Sequence, residues 1–168
     1  GTLLGDGHIQ KRNTSYRLKI QHCLKQKDYI FWKYEKLKRL CFESTYPKKI
    51  KTKIDSTQYY FFLKSGLYLK QYHELFYQEY EWKPLNKDKS EKNDKIKIRY
   101  KKTITSQLID FFPNNPLILA VWFMDDGHRR KEHFSGKLAT NAFSKDEQHL
   151  LQDYILSSFN IKTNVVLA

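Results

Sequence analysis

Leu119-Ala120-Val121-Trp122-Phe123-Met124-Asp125-Asp126-Gly127-His128-Arg129-Arg130 decides the fold of this chain. Its first six residues are apolar without a break. Pro116 stands just ahead of the run, where proline favours a helix start. The run closes on a carboxylate and a glycine, which predicts a helix over 117–126 with Asp126 at its C-terminal end. The same ending occurs once more, at Leu3-Leu4-Gly5-Asp6-Gly7-His8, with Lys11 and Arg12 following. Each copy is apolar, then Asp-Gly-His, then basic. A carboxylate there meets the negative end of the helix dipole, so it calls for a cation. A single Asp-Gly is ordinarily a plain turn. Two in matching contexts point to a duplicated unit that brings two acids together.

Working outward, Gly1 to Gly5 reads as the last turn or two of a helix, because so short a segment cannot nucleate one alone. Gly7 reads as a left-handed stop after the acid. Tyr16 to Cys23 alternates, with Tyr16, Leu18 and Ile20 opposite Arg17, Lys19 and Gln21, as in a half-buried strand. An amphipathic helix is expected over 28–42 and a basic strand over 48–54, followed by a buried aromatic strand over 57–64 with Ser56 in the turn. The segment 67–80 has a helical pattern. Residues 83–94, rich in Lys, Asp, Asn and Ser, suit an exposed linker. A strand over 95–101 and a short helix over 106–112 precede the second motif. After it come a polar hairpin over 129–142, a helix over 144–159 and a strand from Lys162. The expected class is α+β with antiparallel sheets, a first half of order αββαββα over 1–82, a connecting segment 83–115, and an incomplete second half over 116–168. A helix start before Gly1 and a closing strand and helix after Ala168 are expected to lie outside the sequence.

The chain has 168 residues, 40% of them hydrophobic and 15% aromatic, enough to build a core. Its net charge is +13 and its pI about 9.6. An excess of that size points to a polyanion, of which duplex DNA or RNA is the commonest. The charge is spread along the chain and not gathered on one amphipathic helix, which argues against a membrane surface. No apolar run approaches the roughly 20 residues that span a bilayer. Cys23 and Cys41 form no CxxC pair, which argues against zinc and for reduced thiols in a reducing compartment. Lys, Ile, Tyr, Phe and Asn outnumber Gly, Ala, Arg and Pro, as in the AT-rich genomes of mitochondria and chloroplasts.

A carboxylate and the open carbonyls of a helix C-terminus make a hard-oxygen pocket suited to Mg²⁺, with Mn²⁺ as a substitute. Two such ends side by side can flank a phosphodiester, one metal activating water and the other steadying the leaving 3′ oxygen. Asp6 and Asp126 match in register, which makes Asp125 a neighbour lending its carbonyl. His8 and His128, just past the turn, suit local contacts better than catalysis.

Leu119 to Gly127 closely resembles the second motif of the LAGLIDADG homing endonucleases, and Gly1 to His8 resembles the family's Gly-x-x-Leu-Gly-Asp variant. The resemblance spans nearly the whole chain and is to the two-motif monomeric branch. It implies saddle-shaped four-stranded sheets over the DNA major groove. It also implies motif helices packed at a pseudo-two-fold axis, where Gly1 and Ala120 permit close approach. Asp6 and Asp126 carry over as metal-binding catalytic acids, beside the carbonyls of Gly5 and Asp125. Lys102 falls at the family's basic position upstream of the second motif. Arg17, Lys19, Gln21, Lys49, Lys51, Lys53, Lys97, Arg99, Arg129, Arg130 and Lys137 lie on basic strand faces, where Arg and Gln can pair with base edges and Lys with phosphate.

The expected activity is metal-dependent cleavage of both strands of a long asymmetric DNA site by a monomer, leaving short 3′ overhangs, in an organelle. Two rivals stand beside it. One is an RNA maturase that uses the basic saddle on intron RNA without the acids. The other is an inactive remnant.

Overall fold

The computed structural model describes residues 1–52, 56–82, 97–131 and 134–166. Among the described residues, five helices and eight strands run in the order β1 (His8–Lys11), β2 (Tyr16–Cys23), α1 (Lys27–Leu37), β3 (Lys48–Lys51), β4 (Thr57–Phe62), α2 (Lys70–Phe76), β5 (Tyr77–Trp82), β6 (Lys97–Lys102), α3 (Ser106–Asp110), α4 (Pro116–Asp126), β7 (Gly127–Arg129), β8 (Gly136–Leu138) and α5 (Lys145–Phe159). This is a mixed α+β fold with antiparallel pairing throughout. The chain divides into two compact units, each drawn from two stretches. One joins Gly1–His73 to Asn115–Thr140, and the other joins Glu74–Asn114 to Asn141–Ala168.

The first unit is built on a four-stranded sheet of order β1-β2-β4-β3. Its register sets Ile9 against Leu18 and Ile20 against Phe61. All four side chains are buried, and so is Ile30 of α1. Burying each removes apolar surface worth roughly 1.5–3 kcal/mol. A one-residue slip would turn the whole set outward, so burial fixes the register. Rings from α1 seal this face: Phe31 packs on Tyr59 and Tyr34 on Phe61. The hairpin β7–β8 follows α4 directly.

In the second unit β5 and β6 pair over six residues, from Tyr77 with Lys102 to Trp82 with Lys97. α5 begins with a capping box. Ser144 accepts from the Glu147 amide, and Glu147 accepts in return from the Ser144 amide. The second Glu147 oxygen accepts from the Ile104 amide at 2.8 Å, which ties the end of β6 to α5. Burial pushes the Glu147 carboxyl up, but these backbone hydrogen bonds outweigh it and hold it below its ordinary value. Leu108, Leu151, Tyr154 and Ile155 form the core here, and Asn160 ends α5 in the left-handed conformation.

Four expectations are corrected. The helix over 67–80 shrinks to a 3-10 turn, Leu67–Leu69, and α2, because the alternating Tyr77 to Trp82 finds a partner in β6. The helix over 28–42 stops at Leu37 and continues as a 3-10 turn, Lys38–Leu40. Residues 160–166 form no strand; no neighbouring strand pairs with them, and Gln152 of α5 instead donates to the Thr163 carbonyl. No described glycine has a left-handed φ, so Gly7 is not a left-handed stop, and Gly127 is extended. Space is what requires them. A Cβ at Gly7 would lie 2.6 Å from the Thr2 carbonyl oxygen, and one at Gly127 would lie 2.2 Å from that of Phe123. The expected linker 83–94 and Lys53 lie outside the described residues.

Candidate metal centre and nucleic-acid face

Both Asp-Gly-His motifs belong to the first unit. Residues 2–6 form a turn closed by the Gly5 amide on the Gly1 carbonyl at 3.1 Å. This turn lies directly against α4. A Cβ on Gly1 would stand 2.6 Å from the Val121 Cβ, and one on Gly5 would stand 2.3 Å from the Asp125 Cβ. The close approach expected of Gly1 is therefore present, with Gly5 as its second point, whereas Ala120 is exposed.

Asp125 fills the space that Gly5 leaves. Its side chain is fully buried, and each oxygen is engaged. Oδ1 accepts from Lys33 Nζ at 2.5 Å and from the Tyr29 hydroxyl at 2.8 Å, while Oδ2 accepts from the Asp6 amide at 3.2 Å. Burial pushes the Lys33 ammonium below its usual range, against the pull of Asp125, Asp6 and Asp126. Burial also drives the Tyr29 hydroxyl far above its ordinary value, with Asp125 adding to it, so Tyr29 remains a donor.

Asp6 is placed differently. Its carboxylate is 37% exposed, and its Oδ2 lies 3.1 Å from Nδ1 of the buried His22. It opens onto a hollow lined by Gln21, His22, Cys23, Gln26 and Gln58. Among the described residues, Asp6, His22 and Asp125 form a group with ligand atoms within 4.8 Å of one another. Donor accounting separates the three. Asp125 is sealed, neutralised and saturated, whereas Asp6 keeps an exposed carboxylate with the His22 imidazole beside it. The pocket can accept a hard cation at Asp6. Asp126 ends α4 half-buried, and its carbonyl accepts from the Ala139 amide at 2.9 Å. Lys102 is half-buried at the end of β6, opposite Tyr77, in the other unit.

Three residues of this centre are absent from the motifs: His22, Lys33 and Tyr29. Their signals were present. His22 continues the inward parity of Tyr16, Leu18 and Ile20, and a polar group on that parity has to find a partner. Lys33 lies three residues after Ile30 and four after Tyr29, so it falls on the inward stripe of α1.

The outward face of the sheet is basic and aromatic. Arg17, Lys19 and Gln21 share it with Phe62 and Tyr60. The Arg17 guanidinium lies 3.8 Å over the Phe62 ring and donates to Gln10 at 3.0 Å, and Lys19 sits over Tyr60. Gln21 donates to Gln58. On β3 the register sets Lys48 opposite Tyr60 on this face, and it sets Lys49 and Lys51 opposite Tyr59 and Thr57 on the α1 side. Edge-strand parity there is one residue out from the alternation read in sequence. On β6, Lys97 and Arg99 share a face with Trp82 and Tyr80, and Arg99 stacks 3.8 Å over Trp82. On the second hairpin Lys137 stands opposite His128, and Arg129 stands opposite Gly136 on the other face; Arg130 follows the strand. His8 likewise stands opposite Lys19, so each motif histidine has a lysine across from it.

Residues 1–167 match the LAGLIDADG DNA endonuclease family. The chain is 26% identical over 174 residues to the DNA endonuclease I-ChuI of Chlamydomonas applanata, covering 98% of this chain and 72% of that protein. It is 30% identical over 173 residues to the cytochrome b mRNA maturase bI2 of Saccharomyces cerevisiae, covering 98% of this chain and 36% of that protein. The structure of the homing endonuclease I-WcaI bound to its DNA recognition sequence superposes with a TM-score of 0.70 at 20% identity, over 99% of this chain and 68% of that one. That likeness bears on the fold. By its motifs and by a match along nearly its whole length, the chain belongs to the LAGLIDADG DNA endonuclease family.

Proposed function

We propose that this chain cuts both strands of a long asymmetric site in double-stranded DNA, as a monomer, by metal-dependent phosphodiester hydrolysis that leaves short 3′ overhangs. The observation that carries it is the charge count at the paired motifs. One buried lysine compensates Asp125, and Asp6 keeps its own charge facing the open hollow. Mg²⁺, or Mn²⁺ in its place, would supply Lewis-acid activation of water and of the leaving oxygen. Asp6 and Asp126 are the acids to hold it, with the carbonyls of Gly5 and Asp125 beside them. The Asp125 carboxylate holds the motifs together instead. Lys102 offsets charge on the cleaved phosphate. The faces bearing Arg17, Lys19 and Gln21, and Lys97 and Arg99, engage the duplex; Arg129, Arg130 and Lys137 extend that contact. Residues 1–82 and 116–168 act as two halves joined through 83–115. The skewed composition, and the likeness to a cytochrome b mRNA maturase, support an organellar setting.

The test is cleavage of a randomised plasmid library with Mg²⁺. Linear product is expected from the protein, and a loss of at least a hundredfold from Asp6→Asn and from Asp126→Asn. A protein that linearises no member of the library, or two variants that cut like the parent, would sink the proposal. A second reading is favoured by the maturase likeness: the same basic faces binding intron RNA. Tighter binding to folded intron RNA than to any duplex, unchanged in Asp6→Asn, is its signature.

A further inference from the structure

We propose that His22 is the positioning residue for the metal-binding acid, fixed as its Nδ1–H tautomer by Lys33 so that it holds one oxygen of Asp6 and leaves the other for the cation. The inference rests on the proposed role of Asp6. It starts from Lys33. An ammonium has three donors and no acceptor, and here it lies 2.5 Å from Asp125 Oδ1 and 3.1 Å from His22 Nε2. The nitrogen that faces it must therefore be bare. With Nε2 accepting, the ring hydrogen of a neutral imidazole sits on Nδ1. That nitrogen faces two acceptors, Asp6 Oδ2 at 3.1 Å and Gln26 Oε1 at 3.2 Å. The single Nδ1 hydrogen is then shared between these two acceptors, and Nε2 accepts from Lys33. The other tautomer would set its N–H against the ammonium.

The ring cannot easily turn away. His22 is 3% exposed, and Tyr29 packs at 5.0 Å between ring centroids. Tyr29 and Lys33 both come from α1 and both reach Asp125, so the second motif anchors the residues that steady the first. The Nδ1 lone pair is not available to a metal, because that nitrogen carries the hydrogen. His22 instead stands behind the ligand, in the way that partners of metal-binding carboxylates hold them in place.

The experiment has two arms. In the first, long-range ¹⁵N–¹H correlation on the metal-free protein reads the tautomer of His22. A protonated Nδ1 with a bare Nε2 is expected; a protonated Nε2 with a bare Nδ1 overturns the proposal. In the second, His22→Asn keeps a donor near Nδ1, His22→Gln moves it towards Nε2, and His22→Ala removes it. Loss of such a partner typically costs about 10–100-fold in metal affinity or activity. His22→Ala and His22→Gln should need at least about tenfold more Mg²⁺ for half-maximal cutting, with DNA affinity unchanged, and His22→Asn should restore the parent requirement. Equal Mg²⁺ requirements in all four proteins overturn it. A protein that cuts no DNA at all but shows the Nδ1–H tautomer refutes the endonuclease reading and leaves the tautomer assignment standing.

Discussion

Replacing Lys33 with methionine tests the centre most directly, because methionine keeps the apolar stem and deletes only the ammonium. The Asp125 carboxylate would then be a charge with a fully buried side chain and no counter-ion. Breaking a buried pair from one side costs about 3–5 kcal/mol. Asp125 would still accept from the Tyr29 hydroxyl and the Asp6 amide, which places the cost near the lower end, at about 3 kcal/mol. For a chain of this size each kcal/mol lowers Tm by roughly 2–4 °C, so the drop should be about 6–12 °C. Adding Asp125→Asn removes the stranded charge and keeps an acceptor for the Asp6 amide. The double variant should therefore recover about 1.5 kcal/mol or more of the loss, a coupling well above the roughly 0.5 kcal/mol expected of independent sites. Urea unfolding followed by far-ultraviolet circular dichroism, with thermal melts alongside, gives all four corners of the cycle. A Lys33→Met protein within about 0.5 kcal/mol of the parent, or penalties that simply add, would falsify the buried pair.

Gly5→Ala should cost about 1–3 kcal/mol and reduce cleavage more than DNA binding, because the methyl would meet Asp125 at 2.3 Å and push Asp6 off its site; unchanged melting and cutting would contradict that packing. On the basic face, Lys19→Ala should lower the slope of log affinity against log salt by about 0.9, while Arg17→Ala, stacked and held by Gln10, should also relax preference at one base by about 1–3 kcal/mol. Competition binding across salt concentrations reads both, and identical behaviour of the two variants would dissolve the distinction. Thiol reagents should label the exposed Cys23 quickly and Cys41 slowly, since burial pushes the Cys41 thiol up; equal rates would count against that burial. The Glu147 carboxyl lies below its ordinary 4.5 in the folded protein, so its stabilisation is present above that pH and lost as pH falls through the folded value. The stability gap between the parent and Glu147→Gln, measured by urea unfolding from pH 7 to pH 3, should shrink accordingly.

What sequence could show, and what it could not, follows from the range of the forces involved. The helix of the second motif was legible, because Pro116, an unbroken apolar run and the Asp-Gly end are all local signals, and α4 spans Pro116–Asp126. The alternation of β2 was legible because one face is buried. The end of α2 was not, since Tyr77 becomes strand only through a partner more than twenty residues on. Parity failed on β3 for a related reason. All four of its residues are exposed, so no buried face set its register, and the cross-strand bonds to β4 did. Asp6 and Asp125, two of the three residues the structure groups, lie in the motifs read from sequence. Their division of labour could not be read there, because it depends on Lys33 and Tyr29 of α1 arriving at Asp125 from some 90 residues away.

That division explains an asymmetry between the two motifs. The first reads Gly5-Asp6-Gly7 and the second Asp125-Asp126-Gly127, so the residue before the repeated acid is glycine in one and aspartate in the other. A side chain at position 5 would occupy the volume that Asp125 fills, as the 2.3 Å approach shows. A second aspartate there would also bury two carboxylates against the single ammonium of Lys33, leaving one charge uncompensated at several kcal/mol. Glycine on one side and aspartate on the other meets both constraints. The backbones come close enough for Asp125 to accept from the Asp6 amide, and Lys33 neutralises the sealed Asp125. Asp6 is thereby held at its backbone by one motif and at its carboxylate by His22, with its charge still turned to the hollow. The glycine–aspartate difference accounts for how closely the two motifs can pack.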